Sequence, residues 1–104
     1  MIKVTVAYPT EGDKNFDLDY YVETHMALVT RLLTPLGLIK VEVDKGISGT
    51  DPNSPPPYVC VGHVYFNSAD EVHEALKTHG PEILGDIKNY TDIEPTFQIS
   101  ETVI

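Results

Sequence analysis

Tyr58-Val59-Cys60-Val61-Gly62-His63-Val64-Tyr65-Phe66 is the run on which the fold turns. Its β-branched and aromatic side chains read as a strand. Successive strand residues point to opposite faces. Both faces here are apolar: Val59, Val61 and Tyr65 on one, Tyr58, Cys60, Val64 and Phe66 on the other. An antiparallel sheet that exposes a face shows polar residues there, so this strand needs cover on both sides.

Upstream lies a long irregular loop, Gly46 to Pro57, with the turn-forming run Asp51-Pro52-Asn53-Ser54 and three consecutive prolines. Before it, Leu38 to Ile47 alternates Ile39, Val41 and Val43 against Lys40, Glu42 and Asp44, a second strand. Further back, Asp17 is placed to cap a helix, Asp19 favours its positive end, and Phe16 can staple onto Tyr21. Leu18, Tyr21, Val22, His25, Leu28, Val29, Leu32 and Leu36 fall on one stripe at α-helical spacing. Pro35 and Gly37 supply the stop. The chain begins with a strand, Ile2 to Tyr8, followed by a loop from Pro9 to Asn15.

Downstream, Ser68-Ala69-Asp70-Glu71 fits a capping box and opens a second helix with Ala69, Val72, Ala75 and Leu76 inward. Gly80-Pro81 is expected to end it, with one further turn before Gly85. Asp86 to Glu94 reads as a polar connector, and Thr96 to Ile104 as a last strand with Phe97, Ile99 and Val103 on one face.

The order β-α-β-β-α-β is the ferredoxin-like, α+β pattern: a four-stranded antiparallel sheet with both helices on one face. The bare face then calls for a second copy of the chain, making a homodimer. At 104 residues, one domain spanning 1–104 is expected. A net charge of −9 repels phosphate, so nucleic acid and anionic lipid are not expected partners. No apolar stretch approaches the ~18 residues that span a membrane, and the opening residues carry no signal-peptide pattern. The lone Cys60, in an apolar strand, suggests a buried thiol and a cytoplasmic address.

Tyr8-Pro9, Phe16-Asp17 and Tyr20-Tyr21-Val22-Glu23-Thr24-His25 resemble the opening of EthD-family proteins, with the tyrosine pair and histidine on the first helix. Met26-Ala27-Leu28 stands where that family usually has a proline soon after the histidine. Tyr65-Phe66-Asn67-Ser68 and Asp86-Ile87-Lys88-Asn89-Tyr90-Thr91-Asp92 resemble its later signatures, so the likeness runs along the whole chain. It implies a dimeric α/β barrel and leaves the reaction open.

His25 is the most informative candidate. Amid an apolar stripe it either hydrogen-bonds a buried partner as a structural group or lines a pocket between helix and sheet. Burial favours the neutral imidazole unless an acid such as Asp86 stands close. Tyr21, one turn earlier, either orients a substrate oxygen or is a core aromatic. Tyr20 projects away and reads as a surface or interface residue. His63 points into one of two covered faces: toward the helices it can approach His25, and toward the partner it is an interface group. His79 suits the last turn of the second helix, and His73 solvent. Asp86, Asn89 and Asp92 either build turns or, in the case of Asp86, orient an imidazole or a substrate hydroxyl.

No HxH, HxxxH or HExxH spacing supports a metal, and no glycine-rich phosphate loop, GxSxG or cysteine–histidine pattern supports a bound cofactor or a nucleophile. Two functions remain. One is a cofactor-free enzyme for a small apolar or aromatic oxygenated metabolite, with His25 exchanging a proton, Tyr21 and Asp86 assisting, and Tyr8, Phe16, His63 and Tyr65 around the ligand. The other is a non-catalytic metabolite binder serving a partner oxidase.

Overall fold

The computed structural model describes all residues from Met1 to Ile104. Four strands, β1 (Ile2–Pro9), β2 (Lys40–Lys45), β3 (Tyr58–Phe66) and β4 (Thr96–Glu101), form one antiparallel sheet in the order β2-β3-β1-β4. The expected ferredoxin-like α+β architecture is present, and β3 has the bounds its sequence predicts. It is an inner strand, pairing Val4 with Val64 on one side and Val41 with Val64 on the other.

The register separates the two faces. Val4, Tyr8, Cys60 and Phe66 are buried beneath the helices with Val29, Leu33, Val72 and Ala75. Burying each such aliphatic or aromatic side chain contributes about 1.5–3 kcal/mol. Lys3, Thr5, Ala7, Val61, His63 and Tyr65 occupy the other face, where Lys40 lies 4.7 Å over the Tyr65 ring.

The first helical run is α1 (Leu18–Tyr20), a π-helical turn (Tyr21–His25), α2 (Met26–Leu33) and a 3-10 turn (Thr34–Leu36). Asp17 caps it by accepting from the Tyr20 N–H, and Phe16 packs on Tyr21 with ring centroids 5.3 Å apart. Gly37 stops it at φ 108°, where a Cβ would press on the Glu71 carboxylate. The π turn corrects the expected stripe. Its extra residue shifts the phase of the helix, so Met26 and Leu33 join Val29 in the core and Leu28 and Leu32 are half-buried, while Val22, inside the turn, is exposed.

The second helix, α3 (Ala69–Gly85), opens on Ser68, whose Oγ accepts from the Glu71 N–H, while Glu71 accepts from the Asn67 N–H. It does not end at Gly80-Pro81 but continues through both. Relative to Ala, these residues cost about 1 and 3 kcal/mol in a helix interior, and packing against α2 and the sheet outweighs that. His79 therefore sits mid-helix, and Asp86 becomes the C-cap. Ala69 is exposed, and Leu76 turns to a groove beside β4.

The connector after α3 is not merely polar. It carries a 3-10 turn (Ile87–Asn89), and Tyr90 and Ile93 enter the core. A bridge between Phe16 and Thr91, the Asp17 N–H to Tyr90 carbonyl bond at 2.8 Å, and Thr91 Oγ1 donating to the Asn15 carbonyl lace it to the loop before α1. That lacing carries Asp86 to the first helical run.

Candidate functional site

Between the helices and the sheet lies a chamber of about 70 Å³, lined by Tyr8, Tyr21 and His25 and otherwise by apolar side chains and glycines, among them Val4, Val6, Gly62, Gly80 and Ile83. No charged residue faces it. His25 is buried at 4% exposure, stacked on Tyr21 with ring centroids 5.4 Å apart and 13° from parallel, and 4.8 Å from the Tyr90 ring. The π turn aligns Tyr21 and His25 in this way, and such turns recur at functional sites.

Three donors converge on the Asp86 carboxylate: His25 Nδ1 at 2.9 Å on Oδ2, and Tyr20 Oη and Asn89 Nδ2, each at 2.8 Å, on Oδ1. Burial alone would raise this carboxyl, but the bonds from Asn89, His25 and Tyr20 outweigh it and hold Asp86 below its ordinary range. An ionised carboxylate only accepts, so Nδ1 of His25 is the donor in this bond. Nε2 has no partner in the protein and is not sealed off. Asp86 is the acid whose approach to His25 the sequence raises, and it lies within hydrogen-bond distance. It touches His25 and does not line the chamber.

Tyr8 and Tyr21 line the chamber, and Tyr90 packs against both from outside it. Tyr8 and Tyr90 share a hydrogen bond of 2.5 Å between their hydroxyls. Burial pushes the Tyr8 phenol up to about 12 and raises those of Tyr21 and Tyr90 further. All three are therefore protonated at neutral pH. Tyr21 Oη lies 2.0 Å from where a Cβ of residue 62 would stand, so only glycine at that point of β3 admits the ring. Burial likewise pushes the Cys60 thiol up to about 11.

Of the residues singled out from sequence, His25, Tyr21, Tyr8 and Asp86 come together. Phe16 joins the aromatic cluster, 4.9 Å from Tyr8 and 5.6 Å from Tyr90, but backs the tyrosines instead of lining the chamber. His63 and Tyr65 lie on the helix-free face, away from His25. There His63 bonds Thr5 and Asp44 at 3.2 Å each, and the Tyr65 hydroxyl donates to Glu42 at 2.6 Å. They stand one and three residues beyond Gly62, which faces the helices, and an odd spacing along a strand puts them on the opposite side.

Tyr20, expected at the surface or an interface, is half-buried and donates to Asp86, which the lacing of the connector brings to its side. Tyr90 has no role in the sequence reading and Asn89 only that of a turn-builder; their place shortly after Asp86 is the available signal. No three His, Cys, Asp or Glu side chains converge as metal ligands, and no helix is long and apolar enough to cross a membrane.

A family model described as the EthD domain matches residues 11–94. Among solved structures, an EthD-like protein from Ralstonia eutropha JMP134 is 42% identical, with a TM-score of 0.92, over 99% of this chain and 92% of that one. An ethyl tert-butyl ether D (EthD) family protein from Bacillus halodurans C-125 is 18% identical, with a TM-score of 0.70, over 99% of each. SnoaB, a cofactor-independent oxygenase from Streptomyces nogalater, is 10% identical, with a TM-score of 0.61, over 99% of this chain and 93% of that one. At those two lower identities the likeness is one of fold alone. No curated protein matches.

Proposed function

Since the chain belongs to the EthD family, we propose that it is an enzyme for a small, neutral, largely apolar oxygenated metabolite, with His25 as acid and base and no bound cofactor. One observation carries this reading: a buried imidazole whose Nδ1 is held by Asp86 and whose Nε2 is unpartnered at an apolar chamber. Nε2 takes a proton from a carbon next to a carbonyl, or from a hydroxyl, and returns it later in the cycle. Asp86 fixes the tautomer and stabilises the imidazolium that forms. The Tyr8 and Tyr21 phenols, kept protonated by burial, orient the substrate oxygen.

The working unit is a homodimer covering the helix-free face of the sheet, where Val59, Val61, His63 and Tyr65 are half-buried in the single chain. Nucleic acid is not a partner, given the net charge of −9.

The test is proton exchange in heavy water with small cyclic ketones, lactones and hydroxyaromatics, followed by proton NMR. Wild-type protein should wash out the carbon-bound protons next to the carbonyl, and His25→Gln should lose this while remaining folded. Binding without exchange in the wild type would instead support the non-catalytic binder.

A further inference from the structure

We infer that Gly80 is the throat of an access channel, and that the ligand is a neutral, elongated apolar molecule threaded end-on between α3 and β4 until a small terminal group reaches His25. This rests on the function proposed above and names the shape and class of its substrate. The chamber beside His25, about 70 Å³, holds only a few heavy atoms, since one water in the liquid takes about 30 Å³. The rest of any metabolite must lie elsewhere.

A groove of about 480 Å³ opens between α3 and β4, and it shares Val4, Leu76, Gly80, Leu84 and Phe97 with the chamber. The two spaces therefore adjoin, with these side chains and Gly80 as their common wall. At its mouth Leu84 and Phe97 are about half exposed, an apolar lip with no charged residue along the groove. A carboxylate or phosphate would find no partner there, which selects a neutral ligand.

Gly80 marks the junction. With Pro81 it is the pair least suited to a helix interior, yet α3 runs through both. Gly80 is buried, and still an added Cβ would meet no atom within 4 Å beyond its chain neighbours and its own helix backbone. A larger residue would fit the backbone and favour the helix; glycine keeps the void open. Local sequence rules are broken at the position where groove and chamber meet. The unpartnered Nε2 of the buried His25 gives the channel a polar destination.

The experiment titrates unbranched 2-alkanones, from 2-butanone to 2-undecanone, into the protein while following the His25 ring by ¹⁵N NMR. Affinity should rise about fourfold per added methylene until the groove is filled. Gly80→Leu should melt no lower than wild type, still bind 2-butanone, and lose the gain with chain length. Gly80→Ala, the smaller obstruction, should lose part of it and serves alone if the leucine variant does not fold. Long ketones binding either variant as tightly as wild type would overturn the channel. So would a change in oligomeric state without a change in ketone affinity, which would make the groove a contact between copies. A flat response to chain length with 2-butanone still shifting His25 sinks the channel only. If no ketone shifts His25 in the wild type, the proposed function fails and the channel falls with it.

Discussion

His25 and Asp86 meet at 2.9 Å across 61 residues of chain, one from the π turn of the first helical run and the other from the C-cap of α3. The acid faces away from the chamber and the imidazole faces into it. The carboxylate therefore reaches the chamber only through the imidazole.

Asp86→Asn keeps the shape of that contact and removes its charge. Exchange activity should fall by about a hundredfold, with ligand affinity changed little. The folded-state pKa of Asp86 is depressed, so its contribution to stability is full above the ordinary carboxylate range, near 4, and is lost as pH falls below it. Urea unfolding from pH 6 to pH 3 should show a shallower acid-side loss in the variant. An unchanged slope would remove Asp86 as the source of that loss.

Gly62→Ala places a methyl 2.0 Å from Tyr21 Oη and 3.1 Å from Met26 Cε. Overpacking of this kind costs about 1–3 kcal/mol. Adding Tyr21→Phe removes the closest atom and should recover part of the loss, read as a coupling energy in a double-mutant cycle.

The tyrosine cluster sets an alkaline limit. Because burial raises the folded-state pKa of Tyr8 to about 12, its protonated form contributes stability that is complete below the unfolded value near 10. That contribution is lost as pH rises toward 12. Ultraviolet titration should show the Tyr8, Tyr21 and Tyr90 phenols ionising together with unfolding and not before it. Tyr90→Phe alone should cost about 1–3 kcal/mol by stranding the Tyr8 hydroxyl, and Tyr8→Phe with Tyr90→Phe should cost less.

Sedimentation at micromolar concentration should give a dimer. Val61 is half-buried on the helix-free face, and Val61→Lys should convert the dimer to monomer while the chain stays folded. A wild-type monomer would count against the proposed assembly.

The sequence alone determined the strands, the helix caps and the β-α-β-β-α-β order, because alternation, Asp17, Ser68 and Gly37 act over a few neighbouring residues. It marked His25, Tyr21 and Tyr8, whose burial follows from the same local periodicity. Only the tertiary structure decided the rest. The π turn moved Met26 and Leu33 inward, and α3 passed through Gly80 and Pro81 because packing outweighed their propensity. The sheet register sent His63 and Tyr65 away from His25. The lacing of Phe16 to Thr91 brought Tyr20 and Asn89 onto Asp86. Those contacts join residues far apart along the chain, and no local pattern encodes them; they exist only once burial and pairing have fixed which surfaces meet.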